Sequence, residues 1–356
     1  MKIGSSRGVM TATSPSSLRV TSRSFAAPDF PIQCVDRTHR KDAMKFNPNG
    51  LLWMFLAVCL LTTNTNLSNG EQAAPGKEKL FVASALTKAG EFTSGIEGPQ
   101  CDKQGNIYAV NFAKQQTIGK VTPDGKGEVF LTLPGKSTGN GIVFDAAGRM
   151  YIADYVGHNI LRVDMASKKI EVFAHQAEMN QPNDVAIAPN ETLYASDPAW
   201  DKGTGQIWLI SKEGKVTRVA ADLGTTNGIE VSPDGKTLYV NESVQRNVWK
   251  FDIQADGTLK NKKLLKQFPD HGFDGMRCDV DGNLYITRHG KGTVAVVSPA
   301  GELLREIDVL GKMPSNLCFG GPDGRTVYVT EVEHTRLVQF RVEKPGLAWQ
   351  RWQTKK

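Results

Sequence analysis

Five cysteines in 356 residues are too few to staple a fold, and two of them, Cys34 and Cys59, fall near the start of the chain. The other three, Cys101, Cys278 and Cys318, lack the C-x-x-C spacing of zinc or redox sites. They read as buried free thiols, with a Cys278–Cys318 pair between neighbouring repeats as the alternative. No G-x-S-x-G, no H-E-x-x-H and no phosphate-binding glycine loop occurs, so serine-hydrolase, zincin and nucleotide chemistry lack support. Net charge is +6, but residues 1–78 hold nine Lys/Arg against five Asp/Glu. The remaining 278 residues are therefore about +2 and carry no basic run, which removes nucleic acid as a partner. The apolar run from Leu51 to Leu61 is too short for a stable membrane span. Beyond residue 95 no long apolar stripe of period 3.6 appears, which weakens any α/β assignment.

What the chain does have is a repeat. Six oxygen-bearing residues, Glu97, Asn140, Asn183, Asn227, Asp274 and Asn316, follow one another at steps of 43, 43, 44, 47 and 42 residues. Eight residues after each start stands Gly105, Gly148, Glu191, Gly235, Gly282 or Gly324. Eleven or twelve residues after each start stands Tyr108, Tyr151, Tyr194, Tyr239, Tyr285 or Tyr328; of seven tyrosines only Tyr155 is out of register. Strand-length apolar runs such as Leu238–Val240 flank turn signals such as Asp234-Gly235, which suit hairpins with positive φ. A period in the low forties built of short strands predicts an all-β, six-bladed β-propeller with four-stranded blades. One blade leaves both faces bare, whereas a closed ring of six covers them. Leu80–Ala83 with Gly90–Phe92 is strand-like, and is expected to close the ring by completing the last blade, sparing two exposed edges.

The ends are of another kind. Met44 opens a segment with Lys45, the apolar core Leu51–Leu61 and a polar stretch, the pattern of a secretory signal. Export, periplasmic or secreted, is the expectation. Val58 before Cys59 fits a lipoprotein box poorly, so lipidation is not expected. Residues 1–43, rich in Ser, Thr and Arg, read as a leader or as a gene-model extension ahead of a start at Met44. The domain limits that follow are 44–78 for signal and linker, 79–349 for the propeller, and 350–356 for a C-terminal tail.

In a propeller, equivalent positions rise to one height around the axis, so the six starts converge on one mouth of the channel. Gly98, Gly141, Gly228 and Gly275 follow four of them and permit close approach of the innermost strands. An Asn-Gly pair can instead be a simple hairpin turn, but the hairpin signals already fall eight residues later. An all-oxygen ring suits a hard cation, calcium first among divalent ions, whereas zinc or copper would want His or Cys. A purely structural ion is the competing reading.

Gln181-Pro182-Asn183-Asp184-Val185 with Leu193–Pro198, Thr226–Ile229 with Ser232–Gly235, Asp274-Gly275-Met276 and Phe319–Asp323 together resemble the SMP-30/gluconolactonase/LRE-like family over about residues 90–345. Ala195-Ser196 stands where that family usually has Phe-Thr, a departure that affects the pocket wall. The resemblance implies one divalent cation, usually calcium, on Glu97, Asn183, Asn227 and Asp274. Asn140 and Asn316 then line the pocket. It also implies hydrolysis of sugar lactones or related esters, with Asp274 as the catalytic residue, either as base or as nucleophile. The residues three past each Tyr are Asn111, Asp154, Asp197, Glu242, Arg288 and Glu331, whose regularity favours a structural job. Asp154 and Asp197 could instead orient the Asn amides. Arg288 and His289 are candidates to meet a product carboxylate or carry a proton. The expectation is a monomeric calcium-dependent hydrolase of a small lactone or ester. Its rival is a non-catalytic propeller that binds or scaffolds around a structural calcium.

Overall fold

The computed structural model describes residues 78–354. The leader and signal segments expected ahead of residue 78 lie outside the described residues. Within them, six four-stranded antiparallel sheets follow one another along the chain. The innermost strands are Phe92–Cys101, Gly139–Phe144, Val185–Ile187, Thr226–Val231, Met276–Cys278 and Pro314–Gly320. Each pairs with the strand that carries the in-register tyrosine, and two further strands complete the blade. Every one of these six tyrosines is buried. The repeat read from the sequence is the blade.

The turn between the first two strands explains the glycine column. Gly105, Gly148, Gly235, Gly282 and Gly324 have φ between 71° and 85°, the left-handed region that a side chain resists. Glu191 holds the same place in the third blade with φ 67°. Position, not residue type, is what the repeat preserves there.

The core lies in the seams between blades. Buried apolar residues fall into six clusters, each shared by two neighbouring blades. Val110, Ile142 and Leu161, for example, belong to the seam of blades one and two. A blade removed from the ring would expose two such faces, so burial of apolar area enforces closure. Cys101 and Cys318 meet in the last seam with their sulfurs 3.6 Å apart, and all three described cysteines are free thiols. The nearest partner of Cys318 is therefore Cys101, not Cys278, because blade six abuts blade one where the ring closes.

Closure itself is shifted from the expected segment. Ser84–Ala85 forms the outer strand of blade six, pairing Ser84 with Gln339 and Ala85 with Val338. Leu80 makes only a single bridge to Arg341, and Phe92 begins the innermost strand of blade one. The turn at Ala89–Gly90 separates the two roles.

Residues after 349 continue a helix, Leu347–Thr354, in place of the expected tail. Leu347 is buried in the seam of blades four and five, Trp352 meets the edge of Phe144, and Arg351 Nη1 donates to the Ile187 carbonyl at 2.5 Å. The helix thus lies across the turn end of the ring, opposite the end where the six starts converge. Among the described residues no helix is long and apolar enough to cross a membrane.

At the axis the glycines have a steric cause. A β-carbon on Gly98 would overlap the Asn140 carbonyl, and one on Gly275 the Asn316 side chain; on Gly141 or Gly228 it would stand 2.5 or 2.6 Å from its nearest neighbour. Gly98→Ala is therefore expected to cost about 3 kcal/mol or more, in the range of buried strain. Gly148→Ala meets no atom within 4 Å and only the positive φ, so it should cost about 1–2 kcal/mol. Urea unfolding midpoints of the two variants measure the contrast, and equal losses would refute axial crowding as the cause.

Candidate metal centre

The six starts do not face the channel equally. Glu97, Asn140, Asn183, Asn227 and Asp274 line one cavity of about 350 Å³, together with His289, Tyr155 and Trp200. A neighbouring cavity of about 510 Å³ shares Trp200, Asn227, Asp274 and His289 and adds Ser243, Arg246 and His271. Asn316 sits behind Glu97: its Nδ2 donates to Glu97 Oε2 at 3.0 Å while its Oδ1 accepts from the Leu317 backbone. Glu97 Oε2 also accepts from the Gly98 amide. Asn316 is thus a brace for a carboxylate, not a wall of the cavity.

Asp274 comes from the fifth blade and Glu97 from the first, and the two carboxyls share a hydrogen bond across the axis. Burial, then the neighbouring Asp184 charge, pushes the Glu97 carboxyl up to about 7. Burial, then the charge of Glu97, holds Asp274 well above the ordinary carboxylate range. Two buried acids side by side cannot both ionise without a counter-charge.

The amides tell the same story. Asn227 Nδ2 donates to Ser243 Oγ at 3.0 Å, and Ser243 Oγ donates to the Phe273 carbonyl at 2.7 Å. That anchoring leaves Asn227 Oδ1 buried with no hydrogen-bond partner among the described residues, and Asn140 Oδ1 is in the same condition. A buried oxygen without a donor carries a real cost. Unpaired amide oxygens beside two acids form a donor set that fits a hard divalent cation. Glu97, Asn183, Asn227 and Asp274 would hold it, and the bare Asn140 oxygen adds a fifth candidate to the expected four.

In blades one to five the residues three past the tyrosine pin the backbone a few residues ahead of the start, while Glu331 of blade six caps the amides of Glu333 and His334. Asn111 Nδ2 donates to Gly95 O at 2.7 Å, Asp154 accepts from Thr138 N at 3.0 Å, and Asp197 accepts from Gln181 N at 2.6 Å. Glu242 accepts from Gly224 N at 2.7 Å. Asp154 and Asp197 therefore act on the backbone, not on the Asn amides. In blade five the exposed group is a carbonyl, Asp270 O, so the column carries a donor, Arg288, at 2.6 Å. Arg288 is fully buried, paired with Asp270 and Glu306 and stacked 4.1 Å over Phe268. It does not reach the mouth.

His289 does reach the mouth, and burial lowers its pKa, which leaves a neutral imidazole able to accept a proton. Tyr155 and Trp200 together wall the cavity. The isolation of Tyr155 outside the tyrosine register was the signal that it had another task. Asn241, whose Nδ2 holds the Asp274 carbonyl at 2.7 Å, and Ser243 carry no sequence signal of that kind. A further group, buried Glu331 with exposed Glu333 and His334, lies apart from this cavity. There Glu331 is already engaged by the Glu333 and His334 backbone amides and by His334 Nδ1.

Fold and site together define a six-bladed propeller with a carboxylate-and-amide centre at one mouth of its channel. The chain belongs to the SMP-30/Gluconolactonase/LRE-like family, whose model matches residues 95–333. It is 26% identical over 270 residues to a gluconolactonase of Zymomonas mobilis, covering 66% of this chain and 75% of that one. It is 27% identical over 304 residues to a diisopropyl-fluorophosphatase of Loligo vulgaris, covering 74% and 94%. Its fold matches the calcium-binding protein regucalcin of Agrobacterium tumefaciens with TM-score 0.64 at 22% identity, over 73% of this chain and 96% of that one.

The raised acids set a sign for pH. Folded, metal-free protein keeps protons that the unfolded chain releases near 4.5, so its stability falls as pH rises through about 7. A cation must displace those protons, so calcium affinity should climb over the same window with proton release on binding. Calorimetry in two buffers of different ionisation enthalpy counts the protons. The release should be larger at about pH 6 than at about pH 8; an affinity flat across that span would dissociate the ion from these carboxyls.

Proposed function

We propose that this chain is a calcium-dependent hydrolase that opens a lactone ring or cleaves a related ester at the mouth of its channel. One observation carries the reading: two buried carboxyls in contact, flanked by unpartnered amide oxygens, face a cavity large enough for a sugar-sized ring. Relatives named gluconolactonase, 6-deoxy-6-sulfogluconolactonase and regucalcin support both the substrate class and the cation. A bound calcium supplies Lewis-acid polarisation of the substrate carbonyl. The chain's own groups do the rest.

Asp274, held in its ionised form by the bound charge, faces the cavity and either accepts a proton from water or attacks the acyl carbon itself. In both routes the acyl C–O bond of the ring breaks, the acyl carbon ends with the oxygen of water, and the ring oxygen leaves with a proton. Asn227, anchored through Ser243, and Glu97, braced by Asn316, fix the geometry around Asp274. Neutral His289 stands on the open side, placed to take up the proton and pass it to solvent. Tyr155 and Trp200 offer aromatic walls to the ring's apolar face. Export belongs to the same reading, supported by the Lys45 and Leu51–Leu61 pattern.

Base-consumption assays on gluconolactone, smaller lactones, an aryl ester and a fluorophosphate test it, with and without chelator. Turnover on at least one substrate should require calcium, and Asp274→Asn should reduce it at least about 100-fold, the loss typical of a group acting in the transition state. Calcium-independent turnover, or full activity in Asp274→Asn, would refute the reading. Thermal stabilisation by calcium with no turnover on any substrate would favour a structural ion in a binding module.

A further inference from the structure

Below the five cavity-lining starts, the channel holds a charge pair that the proposed chemistry does not use. Asp184 of the third blade and Arg277 of the fifth meet across the axis, passing over the fourth. Arg277 Nη1 and Nη2 reach the two Asp184 oxygens at 2.7 and 2.9 Å, the parallel two-bond geometry peculiar to arginine. Both side chains are buried, Asp184 completely. Asp184 Oδ1 accepts in addition from the Val185 amide at 2.9 Å, and Arg277 Nη1 donates to the Met276 carbonyl at 2.6 Å. Toward the open mouth Arg277 feels Glu97, and toward the helix it feels Glu230, another buried acid that also lies within charge range of Arg351.

Asp184 and Arg277 neutralise each other as a pair, whereas Glu97 and Asp274 line the cavity with no basic partner within hydrogen-bonding distance among the described residues. The two acids at the mouth therefore leave a deficit of two, the charge of one divalent cation. Buried charge has to be compensated within the protein or by a bound ion. We propose that Arg277 is the channel's resident cation, and that its pairing with Asp184 sets the charge of the ion site so that the site takes a single divalent ion with moderated affinity. Arg277 is a positioning residue in this role: it touches neither substrate nor reacting atoms and acts through the field it imposes on Glu97 and Asp274. The proposal rests on the reading that those residues bind calcium, and it is tested by binding, not turnover.

A double-mutant cycle read by calcium calorimetry at fixed pH decides it. Wild type should bind one calcium per chain. Asp184→Asn leaves a bare guanidinium facing the site and should weaken calcium about tenfold or more, the scale of an uncompensated charge at short range. Adding Arg277→Met to Asp184→Asn should restore affinity to within about threefold of wild type, since the deficit of two returns. Arg277→Lys, which keeps the charge and loses the two-bond fork, should leave calcium affinity near wild type while lowering the melting temperature. A pair that serves only as scaffolding gives the opposite ordering, with the double variant no better than Asp184→Asn, and that ordering overturns the proposal. Should Asp184→Asn not yield folded protein, Arg277→Met alone decides: calcium binding equal to or tighter than wild type supports the resident cation, and weaker binding refutes it. A wild-type chain that takes up no calcium overturns the metal-centre reading and this one with it. One ion bound with equal losses in Asp184→Asn and the double variant overturns this one alone.

Discussion

The distance between inner strands at the axis is the constraint on which the remainder of the molecule depends. Six strands can close around one axis only if their first residues come within hydrogen-bonding range of the next blade. Gly141 N reaches the Asn183 carbonyl at 2.8 Å, Gly228 N the Asp274 carbonyl at 3.1 Å, and Gly275 N the Ser315 carbonyl at 2.6 Å. No β-carbon fits at those positions, so glycine is a condition of closure there. The residue before each glycine then has one direction left for its side chain, the channel. A packing requirement has brought four oxygen-bearing groups, Glu97, Asn140, Asn227 and Asp274, to one cavity that Asn183 also lines. Fold and site are consequences of the same crowding.

Charge separates the functional part of the channel from the structural part. Arg288 is fully buried, yet Asp270 and Glu306 balance its charge and two aromatic rings pack against it. Its charge is met within the blade, and the residue lines neither cavity at the mouth. Around Glu97 and Asp274 the account stays open: two acids in contact, two amide oxygens without donors, and one guanidinium already committed to Asp184. Burial makes such an imbalance costly, and a cation is the cheapest way to end it. The centre is therefore recognised by what its residues lack as much as by what they are.

This division also explains how much was legible beforehand. Blade count, strand order, the left-handed turn position and the convergent starts are local or periodic, and a single chain displays them in its spacing. The Glu97–Asn316 brace joins residues 219 apart, and Arg277 reaches Asp184 over 93; no spacing predicts which side chains a ring will bring face to face. The same blindness explains the misplaced thiol pair, since Cys101 and Cys318 are distant along the chain and adjacent only because the ring closes. Arg288 misled for a different reason. It breaks an otherwise acidic or amide column because the group it serves is a carbonyl, Asp270 O, where blades two to four present an amide N–H to an acid. The closing strand and the final helix were missed at their edges because two paired residues and an eight-residue helix carry little pattern of their own.

Symmetry and function pull against each other in such a ring. Six equal acids at the mouth would repel one another beyond what one ion could offset, and six equal amides would supply oxygen without charge. The observed mixture of Glu97 and Asp274 among Asn residues places two acids in blades one and five, near enough to share a hydrogen bond and a single cation. The helix Leu347–Thr354 breaks the symmetry at the other end by covering it, so the cavity beside Asp274 opens toward His289 and Trp200. A ligand approaching from that side meets the carboxyl that comes from blade five before the one braced by Asn316 in the closing seam. Both acids lie at equivalent places in the repeat, yet only Asp274 also lines the second cavity, and that inequality is what supports giving the proposed chemistry to Asp274 and the proposed anchoring to Glu97.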